Sequence, residues 1–390
     1  MPDPLRIGFV TTHSADDRAA YSGTSFSMRQ ALLARADVAV IDIDGLSTAL
    51  YPVWRAKQAA YWFGFRRRYW MNRQPAVLSG YARQVARRVA AAGPIDVLLS
   101  PGSVPLCHYT GPVPTVFWSD ATFDCLVDFY PEATGFSRET VVAGHRMEEV
   151  ALRNCTLAIY SSDWARDSAA VVYKAPATKL QTVPYGANID PPNGPPAADD
   201  FIAARAGRPP RLLFVANDWR RKGGDLAVAV AAELVRRGRS VVLDTVGQPP
   251  PGPVPPFVTV HGFLDKRSPA DRQRLTDLLR SAHVLVLPTR ADCVPMVIAE
   301  AYAHGLPAAV TAVGGVSSVV EDGVTGRLLP LAADAAAWAT AVEGMLWPEE
   351  RRDSLSRAAL ARFRQSLNWP VAVGRVVELL QSRCVSSHAA

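Results

Sequence analysis

A single carboxylate inside an otherwise apolar helical segment constrains this chain more than any other feature. The segment at 296–303 reads MVIAEAYA and is predicted to be a buried helix that Gly305 ends. Glu300 lies in its middle, with no lysine or arginine nearby in the sequence. A buried, unpaired carboxylate is costly, so the fold must bring a partner to it. That partner is either a ligand or a basic residue from a distant part of the chain.

A second acidic residue precedes this segment. Asp292 follows the strand-like run VLVL at 284–287 and comes just before the predicted helix. A strand, an acidic loop, a helix start and an inward glutamate together can hold a phosphate and a polyol. In such an arrangement the backbone N–H groups of Met296 and Val297 would face the phosphates. Aspartate is also a good helix N-cap, so capping is a second interpretation of Asp292.

The spacing of these two carboxylates, with seven residues between them, resembles the signature of retaining glycosyltransferases. The flanking segments resemble it too: LLFVANDWRRKG at 212–223, VGG at 313–315 and VVEDGVTGR at 319–327. Several motifs agree in order and spacing, which is stronger evidence than any single motif would be. The chain therefore resembles a family 4 retaining glycosyltransferase (glycosyl transferases group 1, GT-B fold), most strongly over residues 210–330.

The resemblance implies an α/β fold in which two Rossmann-like, doubly wound domains face each other across a cleft (GT-B). The sequence agrees, because strand-like and helix-like segments alternate and 390 residues suit two domains. The proline-rich run at 191–196 is the best candidate linker. We predict an N-terminal acceptor-binding domain over 1–190 plus 370–390. We predict a C-terminal nucleotide-sugar-binding domain over 210–369.

The resemblance implies roles for four residues of the second domain. Glu300 would bind the ribose hydroxyls of the donor nucleotide, and Asp292 would hold hydroxyls of the transferred sugar. Arg221 and Lys222 would bind the diphosphate and offset its charge as the nucleotide leaves; a solvated basic turn is the alternative. The chain departs from the family at Ala216, where many relatives carry an arginine, and at Asp292, where the family more often has glutamate.

Three further positions match the family by their place in the chain. Gly23 lies in the first strand-to-helix turn, where the missing side chain would let donor and acceptor approach, although an ordinary turn also uses glycine. Phe263 belongs to the segment HGFL at 261–264, whose backbone recognises the base in the family. Asp120 follows a predicted strand at 115–118 and would orient or deprotonate the acceptor hydroxyl; a helix cap is the alternative.

Composition narrows the class of protein. The formal net charge of +6 favours anionic ligands or an anionic membrane surface, and no zinc-finger or RNA-binding signature indicates nucleic acid. No apolar run reaches the roughly 20 residues of a membrane span, and the first residues lack a signal-peptide layout. Five cysteines without close or metal-binding spacing indicate reduced thiols. We therefore expect a cytoplasmic protein without a metal site.

One segment suggests a membrane surface. Residues 55–73 interleave six aromatic side chains with basic ones, including a run of three arginines at 66–68. Such a mixture suits peripheral association with a membrane interface, but it also suits an ordinary helix with one apolar and one basic face. If the first interpretation holds, the protein works at the inner membrane surface and the acceptor is lipid-linked.

Together these features predict a retaining, metal-independent, hexosyltransferase-like enzyme. It would move a sugar from a UDP- or GDP-linked donor to an acceptor hydroxyl on a glycan, a lipid-linked molecule or a small molecule, with no separate cofactor. The predicted catalytic residues are Asp292, Asp120, Lys222 and Arg221. Two alternatives stay open: a nucleotide-sugar 2-epimerase of the same fold, and a non-catalytic subunit that binds nucleotide sugars.

Overall fold

The chain divides into two compact units. The computed structural model describes residues 3–18, 20–49, 51–189 and 197–385. Unit 1 is Met1–Tyr185 together with Ala372–Ala390, and unit 2 is Gly186–Val371. The proline-rich run at 191–196, interpreted above as a linker, lies outside the described residues.

Unit 1 is built on a parallel sheet of six strands in the order β2-β1-β3-β4-β5-β6. Its strands are β1 (Leu5–Val10), β2 (Val38–Ile43), β3 (Val97–Ser100), β4 (Thr115–Ser119), β5 (Leu157–Tyr160) and β6 (Leu180–Thr182). Its helices are α1 (Thr24–Leu33), α2 (Tyr51–Phe65), α3 (Pro75–Ala92), α4 (Phe123–Leu126), α5 (Arg138–Asn154) and α6 (Asp163–Val171). Short 3-10 turns at Ala20–Gly23 and Met71–Arg73 precede α1 and α3.

Unit 2 repeats the plan with a second parallel sheet in the order β12-β11-β10-β7-β8-β9. Its strands are β7 (Arg211–Ala216), β8 (Val242–Gly247), β9 (Val258–Gly262), β10 (Val284–Leu287), β11 (Ala308–Thr311) and β12 (Gly326–Leu329). Its helices are α7 (Ala198–Arg205), α8 (Trp219–Lys222), α9 (Gly224–Arg236), α10 (Pro269–Ser281), α11 (Met296–Tyr302), α12 (Ala335–Leu346) and α13 (Glu349–Ser366). Helix α14 (Trp369–Leu380) begins in unit 2, and its residues from Ala372 onward belong to unit 1.

The sequence accounts for this architecture. The central strands β3, β4, β5 and β10 are fully buried, as parallel strands covered on both faces must be. Parallel neighbours require crossover connections. Helices supply many of them, whereas loops join β3 to β4 and β8 to β9. The prediction of two Rossmann-like, doubly wound domains is therefore confirmed. In each sheet all carboxyl ends of the strands meet at one edge, where open α/β sheets bind ligands.

One buried arginine holds part of unit 2 together. Arg205, at the end of α7, is only 3% exposed. Its guanidinium donates hydrogen bonds to four backbone carbonyls, those of Leu279 and Arg280 in α10 and of His304 and Gly305 after α11. Burial lowers the pKa of Arg205 to about 9, with the charge of Arg352 acting in the same direction.

Among the helices described here, none is long and apolar enough to cross a bilayer.

Arg205→Met is expected to destabilise unit 2 strongly. The substitution leaves four carbonyl groups without their donor, and each buried acceptor left unsatisfied costs about 1–3 kcal/mol. We expect a loss of about 3 kcal/mol or more in the free energy of unfolding, measured by urea denaturation. Arg208→Met is the matched control, because the Arg208 side chain is exposed. Equal stability of the two variants would show that the carbonyl contacts carry no net energy.

Candidate active site

The carboxyl edge of the second sheet brings the predicted donor residues together. Strand β7 leads into α8, which carries Arg221 and Lys222, and β10 leads into the loop that carries Asp292. The two strands are neighbours in the sheet. The Lys222 ammonium donates to the Asp292 carboxylate, and Arg221 Nη1 lies 3.5 Å from the same oxygen. The structure thus places three of the four predicted catalytic residues in one ion cluster.

This cluster is partly buried. The side chains of Asp292, Lys222 and Arg221 are 9%, 14% and 20% exposed. Arg221 Nη1 also donates to the carbonyl of Ala291, at 2.8 Å, which fixes the guanidinium beside the acidic loop. Arg221 Nε also lies 3.6 Å from Oδ2 of Asp218, so each of the two cations has a carboxylate within reach. Two basic side chains at a strand edge can exchange such carboxylates for an anionic ligand.

A glycine makes the contact between the two segments possible. Gly223, directly after α8, has φ +79°, and a Cβ atom there would lie 2.0 Å from the carbonyl oxygen of Pro288. Only glycine permits this conformation and this approach together. Asp218 caps α8 by accepting a hydrogen bond from the backbone N–H of Arg221. The sequence barely separates Arg220 from Arg221, but in the structure Arg220 is exposed and Arg221 faces Asp292.

The capping interpretation of Asp292 is wrong. Helix α11 begins at Met296, its N-cap is Pro295, and no side chain caps it. Asp292 lies three residues before that N-cap and uses its carboxylate on Lys222 instead. The Val297 side chain packs in the core of unit 2. Contacts of the Met296 and Val297 amides with phosphate stay a prediction.

Glu300 has a protein partner. Its side chain is 2% exposed and accepts a hydrogen bond from the ammonium of Lys266, which is 44% exposed. Lys266 lies in the loop between β9 and α10 and is distant from Glu300 in the sequence. The residues around Glu300 therefore could not predict this partner. Lys266 is therefore the distant basic residue that the ion-pair interpretation of Glu300 requires. Binding of ribose by Glu300 stays a prediction, in which Lys266 is the competing partner.

The base-recognition segment also ends at this edge of the sheet. Phe263 follows β9 and is 64% exposed. The preceding residues are held in place: Gly262 has φ +73°, and His261 Nε2 contacts Oδ1 of the buried Asp244 at 2.7 Å. Recognition of the base by the backbone around Phe263 stays a prediction.

Asp120 and Gly23 lie in unit 1, at the carboxyl edge of the first sheet. Asp120 comes directly after β4 and does not cap a helix, because Thr122 caps α4 by accepting from the N–H of Cys125. The capping interpretation of Asp120 is therefore wrong. Gly23 has φ +83° at the start of α1, so its conformation requires glycine. A role in binding donor or acceptor stays a prediction for both residues.

The turn before α1 is strained. Tyr21 and Ser22 have φ values of +49° and +56°, a left-handed conformation that non-glycine residues rarely adopt. Tyr21 is 59% exposed overall, and its ring lies 5.4 Å from that of His13. Desolvation nevertheless raises the pKa of the Tyr21 hydroxyl; Arg73 lowers that pKa and Asp120 raises it. Backbone strain of this kind concentrates at functional sites.

Comparison with known proteins matches most of unit 2 to a family of glycosyltransferases. Residues 209–347 match the family model of glycosyl transferases group 1. The match lies wholly within unit 2 and includes the Lys222–Asp292 cluster and Glu300. The resemblance to group 1 glycosyltransferases predicted from the motifs is confirmed.

Individual relatives share about half of the chain. A D-inositol 3-phosphate glycosyltransferase of Xylanimonas cellulosilytica is 31% identical over 221 residues, which are 53% of this chain and 52% of the relative. Another, from Nocardia farcinica, is 30% identical over 203 residues, which are 49% of this chain and 45% of the relative. The chain thus spans about half the length of the curated relatives it matches.

Solved structures extend the similarity in fold to nearly the whole chain. A sucrose-phosphate synthase from Thermosynechococcus elongatus has a TM-score of 0.69 at 19% identity and covers 97% of this chain and 98% of its own. Anabaena Alr3699/HepE in complex with UDP has a TM-score of 0.65 at 18% identity, covering 97% of this chain and 100% of its own. At these identities the similarity shows the fold alone.

No metal cluster accompanies these residues in the part of the chain that the structure describes. There, no group of three or more His, Cys, Asp or Glu side chains is arranged to hold a metal ion. The cysteines at 107, 125, 155, 293 and 384 are free thiols, and all of them are buried.

Lys266→Met is expected to lower the free energy of unfolding by about 1–3 kcal/mol, because it leaves the buried Glu300 carboxylate unpaired. The double variant Lys266→Met/Glu300→Gln is expected to recover most of that loss, since no uncompensated charge remains. Urea denaturation measures both. Arg267→Met, which breaks a surface pair with Asp265, is the matched control and should cost less than about 1 kcal/mol. An unchanged free energy of unfolding for Lys266→Met would contradict the pairing of Lys266 with Glu300.

Proposed function

We propose that the protein is a retaining glycosyltransferase that moves a sugar from a nucleoside diphosphate sugar to an acceptor hydroxyl. The observation that carries this proposal is the ion cluster of Lys222, Arg221 and Asp292, in a unit of the group 1 family, on the strand edge where such sheets bind ligands. Buried Glu300, on the helix that follows, supplies a carboxylate for a diol.

In this proposal the cluster changes partners when the donor binds. Lys222 and Arg221 turn their hydrogen bonds from Asp292 to the diphosphate, which carries more negative charge than one carboxylate. The Asp292 carboxylate is then free to accept hydrogen bonds from hydroxyl groups of the sugar. Its pairing in the absence of donor keeps all three side chains in place, so little reorganisation is needed at binding.

Glu300 binds the ribose by a similar exchange. A carboxylate accepts two hydroxyl hydrogen bonds from a cis-diol. The exposed Lys266 side chain satisfies Glu300 while the ribose is absent and withdraws to solvent when the diol arrives. The exchange costs little for Lys266, because an ammonium at the surface regains its hydration.

The proposed chemistry is substitution on the face that the nucleotide leaves. The departing phosphate accepts the proton of the acceptor hydroxyl, so the anomeric configuration is retained without a covalent enzyme intermediate. Lys222 and Arg221 stabilise the negative charge that develops on the phosphate. Asp120 orients the acceptor hydroxyl from unit 1.

The names of relatives and of structural neighbours support a class of donor and a class of acceptor. Anabaena Alr3699/HepE is solved with UDP-glucose, which supports a UDP-linked donor here. The matched relatives are named D-inositol 3-phosphate glycosyltransferases, which supports a small polyol acceptor. Both assignments belong to the proposal, and a GDP-linked donor is the first alternative.

The histidines of unit 2 favour a transferase over an epimerase. An epimerase of this fold would need a histidine beside its catalytic carboxylates. His261 contacts Asp244, His283 accepts from the backbone N–H of Arg211, and His304 pairs its ring with the Glu300 carbonyl. Burial lowers the pKa of His283 to about 4 and that of His304 as well. All three are thereby committed to the scaffold.

A thermal-shift screen against UDP, GDP, ADP, dTDP and their sugar conjugates tests the donor site. A ligand that binds the folded state raises Tm. At a concentration of a hundred times its Kd, it adds about 2.7 kcal/mol to the free energy of unfolding. We expect one nucleotide class to stabilise the wild type but neither Glu300→Ala nor Lys222→Met. Arg220→Met is the matched control, because Arg220 adjoins the cluster but is exposed, and it should respond like the wild type.

Turnover separates the remaining alternatives. A transferase releases nucleotide in proportion to the glycoside formed, with the anomeric configuration of the donor retained in the product by NMR. Turnover of donor without acceptor would indicate an epimerase. Binding without any turnover across a broad acceptor panel would indicate a non-catalytic subunit. A well-folded protein that no nucleotide stabilises would contradict the donor site itself.

We also propose that unit 1 docks on an anionic membrane surface through α2. This helix buries none of its side chains. Trp62, Phe63 and Phe65 are 42%, 77% and 72% exposed, and exposed Arg66 and Arg67 follow directly. Exposed aromatic and basic residues side by side suit the lipid interface.

The opposite side of α2 is anchored to the unit. Lys57 and Tyr61 both bind the Glu139 carboxylate on α5, at 2.5 Å and 2.8 Å. Beside the helix lies an open cavity of about 250 Å³, lined by Gln58, Trp62, Arg67, Arg68, Tyr69 and Trp70. A cavity with two arginines and aromatic walls can receive the phosphate of a lipid headgroup.

Phe63→Ser/Phe65→Ser is expected to abolish co-sedimentation with vesicles of phosphatidylcholine and phosphatidylglycerol. The substitutions remove apolar area that would enter the interface, worth about 1.5–3 kcal/mol per side chain. Vesicles of phosphatidylcholine alone should bind weakly, because each arginine near an anionic surface contributes about 1 kcal/mol. Val171→Ser is the control, since Val171 is 65% exposed on α6. Absence of wild-type binding to the anionic vesicles would contradict this docking mode.

A further inference from the structure

Strand β9 carries a bulge at His261. Thr245 of β8 pairs with Val260, but the next residue of β8, Val246, pairs with Gly262, so the ladder skips His261. Bulges of this kind are common beside functional sites, where they redirect the chain that follows. Here the chain turns at once, because Gly262 has φ +73°. The bulge therefore decides how the residues after β9 leave the sheet.

A buried carboxylate holds the bulge in place. Asp244, on β8, is 1% exposed, and its Oδ1 lies 2.7 Å from His261 Nε2. Arg211, at the start of β7, donates to both oxygens of the same carboxylate, at 2.9 and 2.7 Å. Removing one partner of a buried charge is costly, so this network fixes the His261 ring relative to β7 and β8.

The ring is also held from its other side. Nη2 of Arg274, an exposed residue on α10, lies 3.4 Å from His261 Nδ1. A guanidinium only donates, so Nδ1 is the acceptor of this contact and Nε2 carries the proton that Asp244 accepts. Both ring nitrogens are thus engaged within the protein, and the side chain is only 14% exposed. Any effect of His261 on a ligand has to pass through the main chain.

The main chain directly after the bulge has unused hydrogen-bonding groups. Neither the N–H nor the C=O group of Phe263 or Leu264 pairs with another described residue. The residues that follow are paired: the N–H of Asp265 donates to Asp271, and the C=O of Lys266 accepts from Arg272. Main-chain groups need partners, so those at 263 and 264 are left for water or for a ligand.

The same segment leads to Glu300. Phe263 is 64% exposed, whereas Leu264 packs in the core of unit 2. Two residues further along, the Lys266 ammonium donates to Glu300 Oε1. The step from Phe263 to Lys266 spans at most about 11 Å. A ribose held by Glu300 would therefore carry its base within reach of the main chain at 263–264.

We propose that His261 is a positioning residue that sets the base selectivity of the donor site. Through Asp244 it holds the bulge, and the bulge aims the unpaired main-chain groups of Phe263 and Leu264 at the base. Bases differ in the donors and acceptors along their edges, and a mismatched base leaves a group unpaired. The inference deepens the proposed function and rests on it, because it requires that a nucleotide binds unit 2.

Titration calorimetry on the full chain tests the proposal with five probes. UDP, GDP, ADP and CDP differ only in the base, and inorganic pyrophosphate lacks both base and ribose. We expect the wild type to bind one nucleotide at least about tenfold more tightly than the others. His261→Leu should weaken that nucleotide by about ten- to a hundredfold, as for one or two lost hydrogen bonds. The four nucleotides should then bind almost equally, and pyrophosphate should bind as it does to the wild type.

Two amide variants separate positioning from folding. The side-chain nitrogen of His261→Gln stands where Nε2 stands and still donates to Asp244, so most of the selectivity should remain. The nitrogen of His261→Asn stands where Nδ1 stands and does not reach Asp244, so selectivity should be lost. Should His261→Leu fail to fold, this pair carries the test. His108→Leu is the matched control, because His108 is a half-buried histidine of unit 1, bonded to Ser79 at 3.0 Å.

Turnover gives a second readout. A residue that only positions the base affects ground state and transition state equally, so His261→Leu should raise the donor KM and leave kcat unchanged. A general loss of structure would lower kcat as well.

The proposal is overturned if His261→Leu keeps the wild-type selectivity, or if it loses pyrophosphate as strongly as nucleotide. Equal selectivity in the glutamine and asparagine variants, or a wild type that binds all four bases equally, also overturns it. In each of these cases nucleotide still binds the wild type, so the proposed function stands. If no nucleotide binds the wild type, the proposed function fails and this inference fails with it.

Discussion

The hydrogen bond between Lys222 and Asp292 is the contact on which the proposed donor site depends. It joins two segments that follow neighbouring strands, and it forms only because Gly223 lets the turn after α8 approach the carbonyl of Pro288. A side chain at that glycine would push the basic turn away from the acidic loop. The site is therefore a consequence of sheet order and one close backbone contact.

The two units differ in how they satisfy their charges. In unit 2 each carboxylate of the site has a cation within reach, and the partner of Glu300, Lys266, is 44% exposed. Partners of this kind can be exchanged for a ligand at little cost. In unit 1 Arg73 has buried donors with no acceptor among the described residues. The ion pairs of the proposed donor site in unit 2 thus suit an exchange of partners, whereas the two buried Arg73 donors in unit 1 have none to exchange among the described residues.

How much could be predicted from the sequence depended on distance along the chain. Strand β10 matches the strand-like run at 284–287, because a short apolar run determines it locally. The carboxylates at 292 and 300 were identified by their spacing. The partners could not be identified: Lys266 pairs with Glu300, and Arg205 binds carbonyls of α10, only through tertiary contacts. Capping by Asp292 was a wrong prediction because Pro295 occupies the N-cap position.

The family match explains why donor and acceptor must be argued differently. It covers 209–347, wholly within unit 2, and the curated relatives share about half of the chain. Similarity to the family therefore informs unit 2, the proposed nucleotide-sugar unit, while unit 1 shares only its fold with solved structures such as the sucrose-phosphate synthase at 19% identity. For that reason the role of each side chain in unit 1 has to be argued from its own contacts.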